Sequence, residues 1–491
     1  MHVRWNERDN KKRGTAKVGD VKNEGVENKL TMNTDIFPAL YPIYHLSKLC
    51  GLFPVRFTKQ ANGRCEGHLN VIDVIYSLCL FGLIMSLEGL GLWRELRDGW
   101  ENSTRLKNRT AVIPTASDIL SVIILATIAV LGSPFRWKHE KNVLNKLAEV
   151  DEMMGIVALK KTRRYTIALT ACTLPYLLIT SSLDMYWWDC DSKANRKMDD
   201  KGPINFFPIY IMYTIIIILE IQYSLVTYNV GQRFVRLNKC LENILKNGKM
   251  TDHFRKDLGL AGDFKSREQP MTYVRQDPVH LRVSKTLERY PTAFERKNVA
   301  NKIAQLVTVH SSLCDTVSSI NNAFGLVMLA ITLTCLLHLV ITPYFLILEV
   351  SGGRQWLFLI VQTLWCILHV TRMLIIIQPA YFACVQAKNT AVIVSQLLSS
   401  STNEECRKHL EVFSLQLLHQ PLDFTACGLF SFDRTLITSI AGAVTTYLVI
   451  LIQFQKEDHT KDDVDNILKN ATQILKNASS LHNLTTMKLN I

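Results

Sequence analysis

The residues of this chain best suited to chemistry sit in greasy surroundings. In "LDMYWWDC", Asp184 and Trp188 stand four apart, so a helix puts them on one face, beside Tyr186 and Trp187. "CLLHLVITPYF" offers His338, Thr342 and Tyr344; "VQTLWCILH" offers Gln362 and Trp365, three apart and again on one face. If the helices carrying them pack together, a carboxylate, an amide, hydroxyls and indoles converge on one outward-facing pocket. Such a set can hold a small polyol, whose hydroxyls bond the Asp and Gln while its C–H face lies on an indole. The same aromatics also suit an ordinary interfacial belt.

A second pattern closes the last apolar run, "TTYLVILIQFQ". Thr446, Ile450 and Gln453 recur at i, i+4 and i+7 of a helix, with Phe454 adjoining that face. A lone helix cannot hide the Gln453 amide in lipid, whereas several copies about an axis can turn it to a water-filled lumen. A ring of such amides replaces part of a cation's hydration shell, and a ring of Phe or Ile closes by dewetting. The alternative is that Gln453 caps the outer interface.

Other ionisable groups lie at membrane depth, where charge is expensive and each group is a functional candidate. Asp73, Glu88, Glu349 and Arg372 fall near predicted span ends, where snorkelling or an interfacial partner satisfies them. Glu220 lies mid-span and needs a partner; Asp118 and His369 complete the set.

These residues require elements that hold them in a bilayer. The 491 residues are 48% hydrophobic, gathered in blocks of the length that crosses a membrane as a helix, roughly 20 residues each. Seven are predicted, near 71–93, 112–133, 165–186, 205–228, 324–349, 356–378 and 434–454, while 380–400 reads as an amphipathic helix. No early apolar core precedes a small-residue cleavage site, so no removable signal peptide is visible and the N-terminus is expected in the cytosol. The net charge of +13 matches basic cytosolic loops better than nucleic-acid binding. The 12 cysteines are scattered without metal spacing, and no nucleophile–base pair or Gly-rich phosphate loop appears. No metal site, cofactor or enzymatic activity is expected.

Topology follows from two signals. Lys and Arg crowd the segment after the second span and residues 230–302 after the fourth, which marks both as cytosolic. The sequons at Asn102, Asn108, Asn470, Asn477 and Asn483 fall in the first loop and the tail, which belong outside if glycosylated. Six spans separate them, as seven spans with the N-terminus in and the C-terminus out require, opposite to G-protein-coupled receptors. The expected organisation is a disordered cytosolic segment at 1–34, a seven-helix domain at 35–455 opening on an interfacial helix at 38–57, a mobile cytosolic insertion at 248–296, and an extracellular tail at 456–491.

"TYLVILIQF" resembles the C-terminal signature of insect gustatory receptors: Thr-Tyr, five apolar residues, then Gln-Phe. The resemblance extends through "YNVGQRFVRLNKCL", "CLLHLVITPYFLILE" and "LDFTACGLFSFDRTLITSIAGAVTTYLVILIQFQ", over about residues 38–455, and looks like the fructose-receptor branch. It implies an all-α, plasma-membrane subunit of a homotetrameric, ligand-gated, nonselective cation channel, with the seventh helix lining the pore and Gln453 and Phe454 as pore and gate. It also implies a sugar ligand at Asp184, Trp188, Thr342, Tyr344, Gln362 and Trp365, with permeating cations and lipid as the other partners and no nucleic acid. Assembly with other gustatory receptors as a hetero-oligomer is a second arrangement. The chain departs from the pattern at 1–34, at 248–296 and after Gln455, where such receptors usually stop. Competing readings are a transporter for a small polar solute, a gustatory subunit for a non-sugar tastant, and a metabotropic receptor, which the topology disfavours.

Overall fold

The computed structural model describes residues 37–59, 65–97, 109–154, 159–195, 207–257, 293–352, 356–401 and 403–453, with isolated positions at 469, 472 and 473. Helix α1 (Phe37–Leu49) is followed by the antiparallel pair β1 (Val55–Lys59) and β2 (Cys65–Leu69), with Val55 opposite Leu69 and Lys59 opposite Cys65. The helix expected over 38–57 therefore stops early. Gly51 takes φ +70° and Leu52 N–H returns to the Ser47 carbonyl at 2.9 Å, a glycine stop that Pro54 keeps from continuing.

Helices α2 (Val71–Arg97), α3 (Arg109–Leu131), α4 (Ser133–Met154) and α5 (Leu159–Asn195) come next. The basic segment after the second span is thus largely the helix α4, bent by 58° from α3. Gly132 sits at the bend; a Cβ there would lie 2.4 Å from the Ile128 carbonyl oxygen, and Pro134 has no N–H to continue the helical ladder.

The longest helices follow: α6 (Phe207–Asp257), α7 (Ala293–Gly352) and α8 (Trp356–Ser400). α8 runs without a break through both the predicted sixth span and the separate amphipathic helix expected at 380–400. The insertion at 248–296 shows α6 reaching Asp257 and α7 starting at Ala293; the rest of it lies outside the described residues. So do 1–34, and all of 456–491 except the three isolated positions. Helix α9 (Glu404–His419), capped by Asn403, and the short pair β3 (Thr425–Ala426) and β4 (Phe430–Ser431) lead to α10 (Arg434–Gln453).

Among the described residues, six helices are long and apolar enough to cross a membrane, and seven if the bent pair α3–α4 counts as one span. α6 is the core: it packs along α8, which packs on α7, while α4 lies against α7. Of the most apolar window of α6, 78% is buried, against 22% for α2, 28% for α5 and 0% for α10. The outer helices turn greasy side chains outward, as lipid-facing helices do.

Arg372 corrects the sequence reading. It is fully buried, and its Nε and Nη2 donate to Glu220 Oε1 at 2.9 and 2.7 Å. Because α8 continues to Ser400, Arg372 is nowhere near a helix end and cannot snorkel. It is instead the partner that Glu220 needs. Glu88 is buried too, whereas Asp73 has the interfacial partners expected, Lys48 at 2.9 Å and Arg56 at 3.1 Å; the Glu349 side chain lies outside the described set.

Candidate functional site

Helices α5, α6 and α8 bring Asp184 to a buried position where Oδ2 accepts from the Tyr210 hydroxyl at 2.8 Å and the Trp365 indole N–H at 3.2 Å. The Tyr210 and Trp365 rings stack, 6.3 Å apart with 21° between planes. The seam between α5 and α8 continues on both sides. Tyr176 donates its hydroxyl to the Leu364 carbonyl at 2.8 Å, and Trp187 packs against Phe358 at 4.7 Å.

Phe358, Gln362, Trp365 and His369 recur on α8 at helical spacing and present one face to this seam. Gln362 is half-buried, and its amide makes no hydrogen bond among the described residues. Trp187 is buried with its indole N–H likewise unmatched among them. Beside a hydrogen-bonded carboxylate, these are a donor and a donor–acceptor with spare capacity in a site walled by aromatic faces. Satisfied buried polar groups are the rule, so unmatched ones mark where a ligand or water belongs.

A second cluster lies beneath the first. The Tyr213 ring is 5.1 Å from that of Trp365, and its hydroxyl bonds His338 Nε2 at 2.7 Å. His338 Nδ1 faces the Thr334 carbonyl at 2.5 Å, so that nitrogen donates, since a carbonyl only accepts. Nε2 also meets the Asp118 carboxylate on α3, and the His338 ring lies 4.4 Å from His369. His369 Nδ1 is 3.5 Å from Arg372 Nη1, which joins the chain of contacts to Glu220. Buried polar groups, joined in two places by ring contacts, thus run from Asp184 to the centre of α6.

Of the residues singled out from sequence, the structure places Asp184 and Trp365 in direct contact and links His338 to them through Tyr213. Trp188 is half-buried with its ring 4.5 Å from Trp187. Thr342 and Tyr344 are buried further along α7, about one and two turns from His338. Tyr210, Tyr213 and Phe358 are site residues that the sequence reading did not assign, while Trp187 was named only as a neighbour of Asp184 and Asp118 only as an ionisable group at membrane depth. The signal for the two tyrosines was spacing, Tyr210 and Tyr213 standing three apart in "PIYIMYT".

On α10, Thr446, Ile450 and Gln453 are all exposed in the protomer, and the Thr446 hydroxyl donates to the Gly442 carbonyl at 2.9 Å. Phe454 lies outside the described residues, as do the sequons at Asn102, Asn108, Asn470, Asn477 and Asn483. The base of α10 is tightly held. Asp433 Oδ1 caps it, accepting from Thr435 N–H at 2.9 Å and Leu436 N–H at 3.1 Å. That hydroxyl-bonded carboxylate, with Thr435 as first partner, sits below its ordinary pKa. Arg434 stacks 4.2 Å over the Tyr381 ring of α8, and Asn321 of α7 bonds the Asp423 carbonyl and the Thr425 N–H.

Comparison with known proteins places this arrangement. The family described as 7tm Chemosensory receptor matches residues 40–458. The chain is 28% identical over 420 residues to the Drosophila melanogaster gustatory receptor for sugar taste 43a, covering 84% of this chain and 97% of that one. Drosophila melanogaster gustatory receptor 68a is 33% identical over 102 residues, 21% of this chain and 26% of its own. Among solved structures, the insect olfactory receptor OR5 from Machilis hrabei aligns with a TM-score of 0.56 at 14% identity, covering 84% of this chain and 97% of that one, which shows a shared fold. With the family matched across all its apolar helices, this multi-pass membrane protein belongs to the seven-transmembrane chemosensory receptors and is similar to the insect gustatory receptors among them.

Proposed function

We propose that the chain is the subunit of a nonselective cation channel gated by a monosaccharide, fructose being the first candidate, and that Asp184, Trp187, Gln362 and Trp365 hold the sugar. The observation that carries this reading is the buried Asp184 carboxylate between Tyr210 and Trp365, with an unmatched donor at Trp187 and the half-buried Gln362 amide on the same seam. Sugar hydroxyls bond carboxylate and amide while a C–H face stacks on indole. Sugar taste in the name of the 43a relative supports the ligand class. Four copies bring α10 to a central axis with Gln453 and Phe454 at the pore.

Gating requires the open state to bind sugar more tightly than the closed one. Sugar competing for Asp184 displaces the Trp365 N–H and shifts that end of α8. Arg372, about 10 Å along the helix, is pinned to Glu220; Tyr381, roughly 13 Å further, holds Arg434 at the start of α10. α8 then works as a lever about the ion pair, and α10 follows its far end.

Whole-cell recording tests this with the subunit expressed alone and a panel of monosaccharides. Fructose-evoked cation current is expected, with Asp184→Asn raising the half-maximal concentration by about tenfold or more, since a charge-assisted hydrogen bond contributes roughly 1.5–3 kcal/mol. Radiolabelled sugar uptake without current would favour a transporter. Currents unaltered by Asp184→Asn and Gln362→Ala would remove the site.

A further inference from the structure

A cavity lies far from the sugar site. Counting along α6, Gln222 stands 12 residues beyond Tyr210, about 18 Å at helical rise. Here Ile43 and Tyr44 of α1, Phe53 and Phe57 around β1, and Val143 of α4 close over Val226 of α6. The space is about 80 Å³, several times the minimum for one water, and its walls are almost wholly apolar. Its acid, Glu140, is taken by Arg136 at 3.5 Å, and the Ser47 hydroxyl by the Ile43 carbonyl. Gln222 is nine-tenths buried and makes no hydrogen bond among the described residues. Apolar walls of this kind gain by covering themselves with an apolar group.

The surroundings identify the group. Lys48 lies 5.9 Å over the Tyr44 ring that walls the cavity, and Arg56 flanks Phe57. Both cations share one carboxylate, Asp73, with Arg56 bidentate at 3.1 and 3.2 Å, which leaves one positive charge in surplus. Leu49, Ile72 and Ile75 are exposed beside them, an apolar surface continuous with lipid-facing α2.

We infer that this cavity seats a short stretch, a few methylenes, of the acyl chain of an anionic membrane phospholipid, whose head group is held by Lys48 and Arg56. The lipid docks the N-terminal helix and hairpin onto α4 and α6. Nothing in this depends on the sugar site, and the two readings fail separately.

The test reconstitutes the full chain in phosphatidylcholine vesicles containing phosphatidylserine, with a diazirine placed in the acyl chain of one lipid and then of the other. After irradiation, labelled peptides are mapped by mass spectrometry. Labelling of residues 53–57 and 143–144 is expected, stronger with phosphatidylserine by about fivefold, as one surplus cation at a membrane surface gives. Val143→Phe should abolish it while labelling at Ile72 and Ile75 persists. Lys48→Gln alone, which leaves Arg56 and Asp73 balancing each other, should bring the two lipids to parity. Should Val143→Phe fail to elute like the wild type, Val226→Phe at the half-buried rim replaces it. Undiminished labelling in the filled variant overturns the site, as does label at 72–75 alone. A benzoylphenylalanine in place of Phe57 that captures a peptide from residues 1–36 overturns it too, by showing that the chain fills its own cavity.

Discussion

Arg372 and Glu220 are both fully buried, and neither can be tolerated there without the other. Removing one member of such a pair strands a charge in low dielectric at about 3–5 kcal/mol, whereas replacing both with apolar residues of similar volume is close to neutral. Arg372→Met should therefore lower surface delivery and melting temperature sharply, and Glu220→Leu with Arg372→Met should recover most of both; surface biotinylation and thermal melts followed by size exclusion read this out. If α8 pivots on the pair, the recovered double variant should still respond poorly to ligand. Trp187 makes a finer test. Trp187→Phe keeps an aromatic ring against Phe358 and removes the unmatched N–H together with part of the indole's volume, so a modest loss of melting temperature is expected with folding retained. A donor used by the ligand alone is worth about 0.5–1.5 kcal/mol, so the half-maximal sugar concentration should rise between twofold and about tenfold. An unchanged dose–response would mean that the indole serves only as packing.

At the scale of elements, α8 is read most usefully as a single rod joining the two ends of the molecule. Tyr381→Ala breaks its contact with Arg434 and should lower maximal current while leaving sugar-induced thermal stabilisation intact, which separates coupling from binding. Asp433→Ala removes the α10 cap at about 1 kcal/mol and should shift the open–closed balance without any sugar, measured as standing current. The Asp433 pKa is depressed, so its contribution is full above the ordinary carboxylate value, about 3.9, and fades only as pH falls through the lower folded one. Mild acidification should leave it untouched. That α8 is one helix was not legible in the sequence, although its apolar first half was. A hydropathy reading divides it at Pro379, between the span at 356–378 and the amphipathic helix at 380–400, but the helix goes on because Pro379 is accommodated inside it, and Arg372 is held mid-helix by Glu220 across the interface. Helix existence depends on local composition and was readable; extent depends on partners from other helices and was not. The same limit hid Tyr210 and Tyr213. α6 is buried on nearly every side, so its apolar pattern has no period to say which residues face Asp184.

The whole molecule leaves α10 unexplained if the protomer stands alone. It is an apolar helix of 20 residues with none of its most apolar window buried, yet Thr446, Ile450 and Gln453 form a polar-to-apolar stripe along one side. Lipid would accept the apolar side chains on every face but not the Gln453 amide, which needs water or another copy. An assembly about an axis satisfies both, because the stripe turns inward and Tyr447 and Leu448 remain on other faces for lipid or neighbouring helices. Cysteines placed singly test the face directly. Thr446→Cys and Ile450→Cys should form disulfide-linked dimers on mild oxidation, from particles whose mass by light scattering is that of a tetramer, and should make the current sensitive to thiol reagents applied from outside. Leu448→Cys, pointing away, should do neither, judged against the wild-type cysteines. Cross-linking at Leu448 with none at Thr446 or Ile450 would turn the stripe outward and leave the chain with no pore built from this helix.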